Sequence, residues 1–166
     1  MTYIKTLNYQ IRRFEKEDLS QVMDINLKCL PENYPSFFYM ELYYSFPELF
    51  LVATDKNNKV VGYIIYRVET GFSSFGFFHG LVKKAHLISI AVLPEYRQNG
   101  IGTVLLKKSF PLLTEFYKCN ECYLEVRTSN SRAIELYEKL GYKITKTTRS
   151  YYQDRESAYT MSIKII

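Results

Sequence analysis

No stretch of this sequence stays apolar for the ~20 residues that a membrane-crossing helix needs, and Met1 to Gln10 lacks the charged-then-apolar layout of a secretory leader. The expectation is a cytoplasmic protein that contacts no membrane. Cysteine is scarce and odd in number, three residues, which argues against a disulfide framework and for free thiols in a reducing compartment. Cys119 and Cys122 form a CxxC pair, but no second pair stands at zinc-knuckle spacing, so two ordinary buried or half-buried thiols are expected. Runs of one charge are missing too. The net charge of +5 is spread over single lysines and arginines or pairs such as Arg12-Arg13, Lys83-Lys84 and Lys107-Lys108. That dispersal argues against a nucleic-acid groove and suits an anionic ligand or an acidic partner surface. There is no Gly-Lys-Ser/Thr and no third glycine at dinucleotide spacing, so the common nucleotide-binding loops do not apply.

What is present is enough apolar material, 47% of 166 residues, to build a core in one domain spanning 1–166. Tyr9 to Phe14 reads as a strand, and Asp18 to Leu30 as a helix with Leu19, Val22, Met23 and Leu30 at helical spacing, stopped by Pro31. Ser36 is a candidate N-cap for a short aromatic helix ending before Pro47. Phe50 to Thr54 and Val60 to Val68 are β-branched and aromatic and flank the turn Asp55 to Lys59, the pattern of a hairpin. Thr70 to Gly80, with Gly71, Gly76 and Gly80 among four phenylalanines, reads as a loop between strands. His86 to Leu93 is almost continuously apolar, as in a strand buried on both faces. A long helix over Gly100 to Tyr117 follows, with Pro111 expected to kink or loosen it about one turn earlier. Then come a strand at Cys122 to Val126, a helix over Ser131 to Leu140 capped by Asn130 and ended by Gly141, and strands near Tyr142 to Ser150 and Ser157 to Ile165.

Chemistry concentrates where the apolar strand turns into the long helix. Arg97-Gln98-Asn99-Gly100-Ile101-Gly102 places glycines where backbone amides can approach a ligand, and unpaired amides at a helix start bind anions with the help of the helix dipole. Six residues alone describe a tight turn as readily as a phosphate cradle. Their context adds specificity: the segment Ile88 to Arg97 and the segment Ser129 to Tyr142, together with Arg97-x-x-Gly100-x-Gly102, resemble the GNAT superfamily of acetyltransferases. The resemblance implies an α/β (α+β) fold with a mixed, mostly antiparallel central sheet of about seven strands flanked by about four helices. It implies acetyl-CoA as cofactor, with Ile90, Ala91 and Val92 along the pantetheine arm and Arg97, Gln98, Asn99, Gly100, Ile101, Gly102 and Thr103 at the pyrophosphate. Asn130, Tyr137 and Lys139 would complete that set.

Amine attack on a thioester requires an unprotonated amine, a donor for the oxyanion and a proton for the leaving thiolate. Tyr137 lies four residues after Ala133 and seven after Asn130, so the three share one helix face, and a phenol there can protonate sulfur. Residues alone favour a tyrosine packed on the sheet; the resemblance favours a general acid. A strand amide near Ile90 would meet the oxyanion.

Leu30-Pro31-Glu32-Asn33-Tyr34-Pro35, the run Lys84 to Val92, Tyr123 to Arg127, and Tyr151-Tyr152 before Ala158-Tyr159 are similar to the N-terminal acetyltransferases, especially their archaeal catalytic subunits. That likeness implies a polypeptide α-amine as substrate, Glu32 and His86 acting through water as the base, and a substrate slot of Pro31, Glu32, Tyr34, Ile90, Tyr151 and Tyr152. An α-amine suits a modest base, being about a tenth neutral at pH 7, whereas a lysine requires ~3 kcal/mol more. His86 and Glu125 also stand as a weak two-ligand zinc pair, so no required metal is expected. Arg155 occupies the place after aspartate where relatives often carry glycine, so the Gln153 to Glu156 turn is expected to differ.

Two other readings stay open: an acetyltransferase of the same fold acting on lysine side chains or small amines, and a non-catalytic acyl-CoA-binding module using Phe72, Phe75, Phe77 and Phe78 for contact. That loop also leaves self-association open, as the family likeness leaves open a ribosome or an auxiliary subunit.

Overall fold

The computed structural model describes residues 8–76 and 80–165. Its strands form a mixed seven-stranded sheet in the order β1-β2-β3-β4-β5-β7-β6, and the described residues contain four α-helices. Two compact units divide the chain: one runs to Tyr66 and resumes over Ile88–Leu112, the other comprises Arg67–Leu87 and everything from Leu113. Strands β3 (Val60–Phe72) and β4 (Leu81–Val92) and helix α3 (Ile101–Glu115) contribute residues to both. No helix among the described residues is long and apolar enough to cross a membrane.

The first unit is built on β1 (Tyr9–Arg13), antiparallel to β2 (Phe50–Asp55), which is antiparallel to β3. Phe50 to Thr54 and Val60 to Tyr66 are buried without alternation, as expected of strands covered on both faces. Gly62 is required by close approach, since a Cβ there would stand 3.0 Å from the Ala91 carbonyl oxygen and 3.2 Å from Val92 Cγ2. The hairpin turn closes on Asp55, whose Oδ1 accepts from the amides of Asn57 (2.8 Å) and Lys59 (3.0 Å). Helix α1 (Leu19–Cys29) buries Val22, Ile25 and Asn26. Helix α2 (Ser36–Ser45) corrects one expectation: Pro35 is the N-cap and Ser36 the first helical residue, so the Ser36 side chain caps nothing.

Two further expectations are overturned. Thr70 to Gly80 is not all loop, because β3 continues to Phe72 and β4 begins at Leu81. Lys84 Nζ reaches the Phe72 carbonyl at 3.0 Å, and a Cβ on Gly71 would make only ordinary contact, 3.5 Å from Lys84 Cδ, so that glycine marks no turn. Phe77 and Phe78 lie outside the described residues. Strand β4 is also not buried on both faces: Ala85, Leu87, Ser89 and Ala91 are buried while His86, Ile88, Ile90 and Val92 are half-buried. An apolar run looks the same whether its second face meets protein or is left partly open. Helix α3 runs through Pro111 as one element to Glu115, closed by Lys118 at φ +56.

In the second unit β5 (Glu121–Arg127) pairs parallel with β4 and antiparallel with β7 (Ala158–Lys164), which pairs antiparallel with β6 (Lys143–Thr148). Helix α4 (Ser131–Lys139) is capped as expected, Asn130 Oδ1 accepting from the Ala133 amide at 3.2 Å, and ends at Gly141 with φ +99. All three cysteines are free thiols, and burial pushes Cys119 up to about 11 and Cys122 up to about 12.

Candidate active site

In the first unit the segment from Val92 to Thr103 is held by side chains that bond back onto its own main chain. Arg97 Nε donates to the Val92 carbonyl (2.9 Å), and Asn99 Nδ2 donates to the carbonyls of Tyr96 (3.0 Å) and Arg97 (2.9 Å). Gln98 (φ +62) and Gly100 (φ +75) are both left-handed. The glycine requirement at residue 100 is thus conformational, for a Cβ there would meet nothing within 4 Å. The first amide of this run to find a carbonyl is Val104, bonded to Gly100 O at 2.9 Å. Among the described residues no acceptor takes the amides of Gln98, Asn99, Gly100, Ile101, Gly102 or Thr103. Six donors at the start of a 15-residue helix are an arrangement able to bind an anion, by geometry and dipole together. Tyr96 braces the turn, its hydroxyl donating to Asp55 Oδ2 at 3.2 Å. The Val92 carbonyl also accepts from the Cys29 thiol (3.6 Å), so that oxygen is engaged inside the chain.

The loop after α1 is anchored in the same unit by groups that sequence reasoning missed. Asn26, 1% exposed, donates through Nδ2 to the Glu32 carbonyl (3.1 Å) and to the Tyr63 hydroxyl (3.0 Å). Tyr63 shares a hydrogen bond of 2.7 Å with Ser89 on β4, and Asn33 donates to Asn26 Oδ1 at 2.9 Å. Burial pushes the Tyr63 phenol up to about 12, so the network is neutral. Glu32 and Tyr34 are half-buried, Pro31 is exposed, and Tyr34 stacks on Phe38 with centroids 4.6 Å apart. The available signal was Asn26 itself, a polar residue on the face of α1 that buries Val22 and Ile25.

In the second unit His86 sits in a polar row across three strands. Its Nε2 is 2.6 Å from Glu125 Oε2, its Nδ1 is 3.5 Å from an Arg67 nitrogen, and its ring stacks on Tyr123 at 4.3 Å. Tyr123 donates to Glu69, which also faces Arg67 at 3.5 Å. The His86 and Glu125 side chains thus meet each other directly. No group of three or more His, Cys, Asp or Glu suited to a metal occurs among the described residues. Tyr123 and Glu125 alternate with buried Leu124 and Val126; the sequence placed Glu125 opposite His86, whereas the stacking of Tyr123 on the imidazole was not legible.

Tyr137 is buried on α4 near the Tyr142 ring (5.6 Å), and its phenol is pushed well up by burial first and by Cys122 and Tyr152 next. Lys139 makes an exposed pair with Glu135 at 3.8 Å, a contact that contributes little. Tyr151 and Tyr152 meet edge to face at 5.0 Å, and the Arg127 guanidinium lies over the Tyr152 ring at 4.0 Å. Arg155 takes φ +67, so the arginine adopts the left-handed conformation that a glycine would supply.

A profile of the Acetyltransferase (GNAT) family matches residues 19–142. An N-alpha-acetyltransferase of Sulfurisphaera tokodaii is 48% identical over 158 residues, 95% of this chain and 94% of that one. The crystal structure of Ard1 from Thermoplasma volcanium superposes with a TM-score of 0.81 at 31% identity, covering 95% of this chain and 98% of its own. Arabidopsis thaliana Naa50, crystallised with the bisubstrate analogue CoA-Ac-MVNAL, gives a TM-score of 0.77 at 28% identity, covering 93% and 97%.

Proposed function

The chain belongs to the Acetyltransferase (GNAT) family, and from that premise we propose that it is an N-terminal protein acetyltransferase, moving an acetyl group from acetyl-CoA to the α-amine of a polypeptide. The observation that carries the reading is the run of six amides from Gln98 to Thr103 without an acceptor among the described residues. Such a run fits a pyrophosphate and calls for no lysine. Relatives named for the same activity along nearly their full length support the choice of substrate.

When bound, acetyl-CoA supplies a thioester carbon and a thiolate leaving group. The chain's residues take the remaining parts. Main chain at Ile90 and Val92 aligns the pantetheine arm, and the Ile90 amide meets negative charge on the carbonyl oxygen. Glu32 and His86 accept the proton through water, an undemanding task since about a tenth of an α-amine is already neutral at pH 7. Glu125 sets the histidine's tautomer by accepting Nε2–H at 2.6 Å, which leaves the lone pair on Nδ1. The Arg67 contact there, at 3.5 Å, is at the limit of a hydrogen bond and yields readily to water. Tyr137 stays protonated because burial raises its phenol, so it is a hydrogen-bond donor to sulfur as charge collects there. Tyr34 and Tyr152 contact the first residues of the peptide.

Matched peptides, one with a free N-terminus and no lysine, one with a blocked N-terminus and an internal lysine, test the reading. Only the first is expected to gain an acetyl group with release of free thiol. Equal acetylation of the blocked peptide would show the substrate assignment to be wrong, and thiol release from neither would remove the activity.

A further inference from the structure

The tip between β6 and β7 has little packing of its own, with Tyr151, Gln153, Asp154 and Arg155 all exposed. Charge holds it. Arg127, the last residue of β5, donates from one nitrogen to Asp154 Oδ2 (2.8 Å) and to Glu156 Oε2 (2.9 Å) while its plane covers the Tyr152 ring. The other Glu156 oxygen accepts from the Ser129 amide (3.0 Å) and from the Ser129 hydroxyl. Asp154 Oδ1 accepts from the Glu156 amide (3.0 Å), and the Tyr152 amide donates to the Glu156 carbonyl (3.1 Å). One guanidinium therefore orients an aromatic ring and two carboxylates at once. The Arg127 side chain is 20% exposed and Asp154 59%, so the cluster sits at the edge of solvent.

We propose that Arg127 and Glu156 are positioning residues for the peptide, holding Tyr152 and its neighbours in the conformation that receives the first residues of the polypeptide. The inference rests on the N-terminal acetyltransferase reading. Lysine replaces Arg127 poorly, because an ammonium has no plane to lay on the tyrosine while it donates to the two carboxylates. Glu156→Gln keeps acceptors for Ser129 and loses the ion pair, so it falls between wild type and Glu156→Ala.

The test uses the full chain and its Arg127→Lys, Arg127→Ala, Glu156→Gln and Glu156→Ala variants, with peptide and acetyl-CoA varied separately and amide exchange followed over residues 150–157. The alanine variants are expected to raise the peptide KM roughly tenfold and the acetyl-CoA KM by less than about twofold, since losing the charge-assisted contacts loosens the surface that meets only one substrate. Exchange in the tip should quicken, and Arg127→Lys should recover little of either effect. An active wild type whose variants keep its peptide KM overturns the proposal, whatever the exchange shows. So does a parallel rise in both KM values with a lowered melting temperature, the mark of a merely structural role. A wild type that acetylates no free N-terminus fails at an earlier step, overturning the functional reading and this proposal with it.

Discussion

Two tyrosine-bearing segments, the loop at Pro31 to Tyr34 and the tip at Tyr151 to Glu156, are held by opposite physics. The loop is tied by neutral groups, buried Asn26, Tyr63 and Ser89 with Asn33 at the surface end, passing hydrogen bonds between amides, a phenol and a hydroxyl. The tip is tied by ions near solvent, Arg127 against Asp154 and Glu156. Buried neutral bonds are costly to break and indifferent to salt, because an unmade partner keeps its full desolvation penalty. Exposed ionic ones are inexpensive to break and respond to the medium.

The largest effect should come from taking one acid–base candidate from each unit. Glu32→Gln together with His86→Gln is expected to lower kcat by about 100-fold, more than either change alone, at saturating substrates. A double variant as fast as wild type would remove both residues from the chemistry. Next is Asn26→Leu, which strands the partners of a buried amide and should cost about 3 kcal/mol in a denaturant titration, against less than about 1 kcal/mol for Arg127→Ala. Equal costs would erase the contrast between the segments.

The medium sharpens the comparison further. Raising ionic strength from about 0.05 M to about 1 M should loosen the tip, seen as a change in Tyr152 ring resonances, and leave Tyr63 unmoved. Acid separates them in the same direction. The Ser129 hydroxyl first, then Arg127, holds the Glu156 carboxyl below the usual carboxylate range. The tip's order is therefore complete above the ordinary glutamate value of ~4.3 and is lost as pH falls through the lower folded value. The Tyr63 network has no group titrating there. Loss of both sets of resonances together, with the fold intact, would contradict the distinction. The smallest effect is Arg155→Gly: relief of a left-handed side chain is nearly offset by the glycine's entropy, leaving a gain of no more than about 0.5 kcal/mol in thermal unfolding.

These two segments also show what a sequence conveys. Helix ends at Asn130 and Gly141 and the left-handed turn at Gly100 are local events set by one residue's geometry, and they were legible. The extent of β3 through Gly71 was not, because a glycine that marks a turn and a glycine that fits a strand look alike. Nor was the half-open face of β4 carrying His86, Ile88, Ile90 and Val92, since burial of a second face depends on what packs there. Asn26 with Tyr63, Tyr63 with Ser89, and Arg127 with Glu156 join residues 26 to 37 positions apart, and no spacing rule connects them. Glu125 was recognised as facing His86, but its part as a hydrogen-bonding partner emerged only from the 2.6 Å contact.

The most direct measurement is an amide-resolved titration of the protein with coenzyme A, alongside Gly100→Ala. The backbone resonances of Gln98 to Thr103 should shift first and furthest, and the substitution, forcing a side chain into φ +75, should weaken binding. Saturation with those six amides unmoved, or full affinity in the alanine variant, would contradict a donor held by main chain at the start of α3.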